Sequence, residues 1–454
     1  MLYKISNWKG GISFSPDEGI EDSSAYLQSI NIRDNSRAIS VNQALKLISS
    51  ENPGAQQVVD KIIKFVEVGS NLFAFGNAGN IYKIVDETVT LEYTDTNGAI
   101  LDAGYFYGNL YWATATKLSR CVATSVDFDT DTDHDWQTLT SASYHPIYPI
   151  GNRLFIGNGR YVATVSNAGA FVATSLDIES DWTVRCLKLI KPLLLIGTSA
   201  NGRSKCLTWD FINAADSFEE ISGLEEGEIT EFIEISGAVA AVIGKKLFWY
   251  NGMIDDALYT FDDTIAHGAL TMYSKMIYLA TKKGVYSFGK SNRNYPSVPN
   301  LEFVSSQGVS VDAIGAIHGT SSTLYVAWQK TTGETTTYGI DMINTAAKAT
   351  QGIIETLKLT EKGKLHINSA KYFFDLLPEN CSIQLKYKTE EDDLWQEIKS
   401  ADGLTTLTSS TEDMTEDEVP LGVVCKSIQF RIELNSSGNS SPVFRGLEVD
   451  IDIN

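Results

Sequence analysis

Short apolar runs alternate with small polar turns along most of this chain, and the alternation recurs seven times between about Ile62 and Thr360. Each unit runs apolar strand, tight turn, second apolar strand, turn, third strand, then a looser edge strand. Clear copies are VGSNLFAFGNAGNIYKI (68–84), FYGNLYWATATKLSRCV (106–122), PIGNRLFIGNGRYVATV (149–165), ISGAVAAVIGKKLFWYN (235–251) and YSKMIYLATKKGVYSFG (273–289). Two divergent copies cover 190–209 and 319–340. The first turns fall near Gly69, Gly108, Gly151, Pro192, Gly237, Ser274 and Ser322, at intervals of 39, 43, 41, 45, 37 and 48 residues. Four strands repeated at this spacing predict the blades of a β-propeller.

The pattern assigns a place to each strand. The first strand of each unit is expected at 62–68, 99–107, 144–150, 184–190, 230–236, 267–273 and 311–317. These inner strands are nearly continuous in apolar residues, as strands covered on both faces must be. The outer strands are expected at 90–94, 136–140, 171–177, 218–222, 257–261, 301–305 and 353–359, and they alternate more, as half-exposed edges do. A strand from residues 50–60 or from the N-terminal arm could complete a terminal blade and close the ring, and the sequence leaves open which.

Residues 1–60 fall outside the repeat and read as an arm, with strand-like pieces at 2–5 and 25–32 and a short helix near 42–48. The repeat occupies 61–361. Beyond it, 362–454 carry longer alternating strands at 364–377, 381–389, 394–400, 425–434 and 444–453, which predict a β-sandwich. The fold expected is therefore all-β: an extended arm, a seven-bladed propeller and a C-terminal β-sandwich. A chain of 454 residues with 43% apolar residues is long enough for more than one core.

Charge narrows the partners. With 57 acidic and 36 basic residues the formal net charge is −21. Such a balance disfavours direct nucleic-acid binding, which requires clustered cations, and attachment to anionic lipid. No run of about 18 apolar residues predicts a membrane helix, and MLYKISNWKGG carries no signal-peptide pattern. Five cysteines without CxxC spacing read as reduced thiols of a protein made in a cytosol. Cys121 and Cys206, at equivalent places in two units, are expected as small core residues.

Few residues suggest chemistry. Asp127, Asp129, Asp131, Asp133 and Asp135 alternate, and in an extended run they would share one face. Asp129, Asp131, Asp133 and Asp135 are the candidate ligands of a Ca²⁺ ion, although the EF-hand pattern fails: Thr140 stands where a bidentate Glu should be and His134 where Gly should be. A solvated acidic loop is the alternative reading. Five scattered histidines include His267 and His318, which could both approach the propeller axis as a zinc pair or as isolated polar residues. No sialidase-type box, nucleophile elbow, Walker loop or dinucleotide fingerprint is present. The pairs Asp255/Asp256 and Asp262/Asp263 are expected on outer loops rather than as glycosidase acids. Trp209-Asp210 is the lone WD dipeptide, without the Gly-His partner of a WD40 repeat. Trp395 is expected to pack on the sandwich core, with glycan stacking as its alternative role.

NWKGGIS (7–13), LQSINIR (27–33), AFGNAGNIYKI (74–84) and YWATATKLSR (111–120), with KSIQFRIEL (426–434) and SSPVFRGLEVDI (440–451), resemble tailed-bacteriophage virion proteins. In that group a similar opening precedes a β-propeller, and similar closing strands end β-sandwich domains of tail proteins. The resemblance implies a non-enzymatic tail component, a tip, nozzle or collar, made in the host cytoplasm and carried in the virion. It implies other virion proteins as partners, a homo-oligomeric ring, and a role in assembly, DNA passage or host contact. No cofactor is expected beyond the candidate Ca²⁺. A glycan-binding host-attachment module and a propeller hydrolase are the competing readings.

Overall fold

The computed structural model describes residues 2–6, 8, 11–12, 17–18, 25–34, 38–51, 57–125, 127–221, 227–235, 238–250, 254–289, 298–308, 311–400, 403–408 and 415–453. Apart from the helical turn Phe128–Asp131, every regular element among them is a strand. The chain forms two compact units. One holds Leu47–Lys283 and Val309–Met342; the other holds Met1–Lys46, Gly284–Gly308 and Ile343–Asn454.

Seven antiparallel sheets follow one another in chain order, as the repeat predicts, and the protein is an all-β seven-bladed propeller. Their innermost strands are Ile62–Val68, Asp102–Phe106, Ile147–Ile150, Thr183–Ile190, Ile229–Ile235, Leu270–Tyr273 and Ala313–Gly319. Each packs beside the next, and the seventh packs beside the first, so the ring is closed.

Strand periodicity explains how a blade buries both faces. In blade one, Leu72 and Ala74 with Tyr82 and Ile84 face one way and join Ala316, Ala327, Ile340 and Met342 of blade seven. Phe73 and Phe75 with Ile81 face the other way and join Ala103, Leu110, Trp112 and Cys121 of blade two. Successive residues thus serve opposite neighbours. Each fully buried aliphatic or aromatic side chain of this kind contributes about 1.5–3 kcal/mol. Backbones also approach closely. Gly268 has φ +78°, and a Cβ there would run into the Ile63 carbonyl oxygen; one at Gly315 would run into that of Ile62.

The segment after the arm seals the ring. The Ile48 amide donates to Ile340 of blade seven (3.1 Å), while those of Ser49 and Glu51 donate to Glu87 (2.8 Å) and Val89 (3.1 Å) of blade one. Ser49–Ser50 therefore lies parallel to the outer strand Thr88–Thr94. Further on, Gln57 Oε1 accepts from the Ile340 amide at 2.8 Å, and Val58 bridges Tyr338. Ile48 and Val58 are buried in the cluster shared by blades one and seven.

Two local expectations are corrected here. Residues 43–47, read as helical, form the strand Gln43–Leu47, the fourth strand of the seventh sheet. Pairing overrides the helix propensity of Gln, Ala, Leu and Lys. Residues 353–359, expected as that fourth strand, go elsewhere. Gln351–Thr356 pairs with Ala25–Ile30 on one side and Glu416–Asn435 on the other, which buries Ile353, Ile354 and Leu357.

The second unit is a thirteen-stranded hydrogen-bonded network. Its long strand Glu416–Asn435 pairs through Ile428–Asn435 with Ser382–Thr389, and through Arg431–Asn435 with Gln351–Thr356. Its earlier part pairs with Lys358–Phe374. The arm belongs to this network. Leu2–Ile5 pairs with Val443–Ile453, and Trp8 of the WKGG segment is fully buried beside Phe444. Asn300 is gripped by the arm: its Oδ1 accepts from Tyr26 Oη (2.9 Å) and Ser29 Oγ (2.5 Å), and its Nδ2 donates to the Ile32 carbonyl (2.8 Å).

Candidate functional site

Among the charged residues of the innermost strands, Lys64, Asp102, Arg185 and Glu231 make contacts that reach neighbouring blades; they stand in the first strands of blades one, two, four and five. Tyr144 and His267 sit just before the first strands of blades three and six.

Their contacts link blades. Lys64 Nζ lies 3.0 Å from Asp102 Oδ1, and the Asp102 side chain is nearly buried, at 4% exposure. Asp102 Oδ2 also accepts from the Ile147 amide at 2.8 Å, joining blade two to blade three. Glu231 accepts from the Gly268 amide at 3.1 Å, joining blade five to blade six. Arg185 donates to Ser143 Oγ (2.9 Å) and to Glu228 Oε2 (2.6 Å). The Tyr144 and His267 rings stack, with centroids 3.6 Å apart.

Electrostatics follow from this packing. Burial pulls the Lys64 pKa down, but the Asp102 and Glu231 carboxylates outweigh it, and the net shift is upward. Burial pushes the Glu231 carboxyl up, against the opposing pull of Lys64. The His267 pKa falls to about 3, through burial first and then the Arg185 and Lys64 charges. Burial also holds the Tyr144 phenol and the Cys186 thiol well above their ordinary ranges. Lys64 and Asp102 are thus held as a pair, while Arg185 is held by Ser143 and Glu228. Among the described residues no group of three His, Cys, Asp or Glu side chains can hold a metal ion.

The acidic run does not form one face. Phe128–Asp131 is a helical turn whose N-cap, Asp127, accepts from the Thr130 amide, so the alternation breaks there. Asp131 accepts from Ser125 Oγ at 2.7 Å. Asp133 pairs with Arg120 at 3.0 Å, and Asp135 lies 3.7 Å from Lys117. Asp129 sits in the first turn of that helix. The candidate Ca²⁺ ligands Asp129, Asp131, Asp133 and Asp135 are thus not gathered, because nearby cations and hydroxyls engage three of them separately.

The other candidates are dispersed. His318 lies 3.3 Å from Glu67, whereas His267 stacks on Tyr144, so each has its own neighbour. Asp262 pairs with Lys283, and Asp263 with Lys282 at 3.9 Å. The side chains of Asp255 and Asp256 lie outside the described residues. Asp210 caps its own turn through the Ile212 and Asn213 amides. All five cysteines are buried. The axial cluster itself was not singled out from the sequence. Its signal was there: charged residues inside mostly apolar first strands, as in IIKFVEV and VRCLKLI.

No family model matches the chain. No curated protein matches it either. Solved structures do. The extracellular domain of a putative hybrid two-component system from B. thetaiotaomicron aligns with TM-score 0.48 and 12% identity, over 67% of this chain and 40% of that one. A second such domain from the same organism aligns with TM-score 0.50 and 11% identity, over 96% of this chain and 62% of that one. The WD40 β-propeller domain of Doa1 aligns with TM-score 0.45 and 11% identity, over 67% of this chain and 97% of that one. The chain thus spans 40% to 62% of the length of the two bacterial domains. At such identities the likeness speaks to fold alone.

Proposed function

We propose that this chain is a non-enzymatic structural component of a tailed-phage particle, acting at the tail or neck in assembly. The observation that carries the reading is the use made of the axial polar groups. Lys64 and Asp102 join blades one and two, Asp102 reaches Ile147 of blade three, Arg185 reaches Glu228 ahead of blade five, and Glu231 reaches Gly268 ahead of blade six, which braces a ring. The resemblance of both ends and the first two blades to virion proteins supplies the particular setting. The partners are other virion proteins and further copies of this chain in a symmetric ring. The net charge of −21 suits a surface that lies near DNA without adhering to it, since like charges repel.

Cryo-electron microscopy of purified particles tests the proposal. Density for a ring of seven-bladed propellers at the tail or neck supports it. A reconstruction whose tail and neck are fully accounted for by other chains overturns it.

A further inference from the structure

The second unit holds a cleft of about 500 Å³ bordered by Trp395, Glu355, Lys358, Lys388, Asp392 and Gln429, among others. Trp395, expected to pack on the sandwich core, is only partly buried and stands at this cleft. Its ring is buttressed by Arg431, whose guanidinium carbon lies 5.6 Å from the ring centroid.

Several groups around the cleft already have fixed roles. Glu390 accepts from the Lys426 and Ser427 amides at 2.6 and 2.9 Å. Asp392 accepts from the Thr389 amide and hydroxyl at 2.9 and 2.7 Å. The Glu390 bonds tie the loop that carries Trp395 to the long strand Glu416–Asn435, and the Asp392 bonds close its turn. Gln429, only 6% exposed, donates its amide nitrogen to the Thr356 carbonyl at 2.9 Å, which fixes its orientation at the cleft wall. Its amide oxygen remains as an acceptor. Glu355 stands beside it, 3.7 Å from Arg431 and largely buried. Lys388 donates to the Asp393 carbonyl at 2.9 Å and has further ammonium protons to offer.

The lining carries three acids (Glu355, Glu390, Asp392) and two cations (Lys358, Lys388). Arg431, behind the ring, is itself paired with Glu433 at 3.0 Å. Charges of both signs at close range leave no single-sign field to select a strong anion or cation. An aromatic face packs against apolar C–H surface, while orientated amide, carboxylate and ammonium groups read hydroxyls. We infer that this cleft binds a neutral sugar ring, a hexose or N-acetylhexosamine residue of a glycan, stacked on Trp395 with its hydroxyls held by Glu355, Gln429 and Lys388. The inference is independent of the particle assignment.

The test uses the full chain and a panel of glucose, galactose, mannose, N-acetylglucosamine and N-acetylgalactosamine, with sialic acid as the charged comparison. Binding is read by saturation-transfer NMR and titration calorimetry. At least one neutral sugar is expected to bind with a millimolar dissociation constant. Trp395→Ala is expected to weaken it at least tenfold, and Trp136→Phe, in the propeller, to leave it unchanged. Should Trp395→Ala fail to fold, Glu355→Gln decides, with at least threefold weaker binding expected at an unchanged melting temperature. No binding by any neutral sugar, tighter binding of sialic acid, or full affinity in a folded Trp395 or Glu355 variant overturns the inference.

Discussion

The phenol ring of Tyr144 lies face to face with the imidazole of His267, with centroids 3.6 Å apart and planes tilted by 16°. The two residues enter from blades three and six, which are not neighbours in the ring. At this level the middle of the propeller is filled by side chains, and Arg185 flanks the stack, 5.7 Å from the Tyr144 ring.

That stack makes acid a threat to the fold. His267 titrates near 6.5 when unfolded and at about 3 when folded. The folded state thus resists protonation, so its stabilising contribution is complete above the unfolded value and drains as pH falls toward 3. His145, lowered by burial as well, adds to the same trend. His267→Phe keeps an aromatic ring against Tyr144 and removes the proton. Urea denaturation at pH 7 and pH 4 should show the parent losing on the order of 3 kcal/mol more than the variant. Equal losses would contradict the assignment.

Lys64 neutralises two buried carboxylates, so its removal should cost more than its own contacts. Lys64→Met leaves Asp102 and Glu231 facing one another without a cation, and about 3–5 kcal/mol of stability is expected to go. The double variant Lys64→Met/Asp102→Asn should recover part of it. Chemical denaturation of the three proteins measures both effects.

Ring closure depends on a short segment. Ile48, 3% exposed, sits where blades seven and one meet. Ile48→Ala should cost about 2–4 kcal/mol. Amide exchange should rise first in Thr88–Thr94 and in residues 335–342, the strands this segment joins. A loss spread evenly over all seven blades would speak against a seam at this place.

The acidic loop should ignore calcium. With Asp133 engaged by Arg120 and Asp131 by Ser125, added Ca²⁺ or a chelator should leave the melting temperature unchanged. Asp133→Asn should cost less than about 1 kcal/mol, as exposed ion pairs do. A Ca²⁺-dependent rise of several degrees would restore the metal site.

The propeller was legible because its signal is periodic. In Phe171–Asp177 the expected and observed strands coincide, and Ile62–Val68 does so too. What misled were strands whose partners lie far away in sequence. Nothing local in QALKL or IIETLKL says which edge each will find, and the two were assigned the wrong roles for that reason. The axial cluster was hidden similarly, because Lys64 and Glu231 become neighbours only once the ring closes. Trp395 was visible as a residue, but its cleft is built from three separate stretches of chain.

Peptide mass spectrometry of particles gradient-purified from cells that carry the genome encoding this chain tests the proposal of a virion role most directly. The account predicts peptides from both the repeat region and residues 362–454 in the particle fraction, at the stoichiometry of a symmetric ring. Particles that infect normally yet contain none of this chain would contradict it.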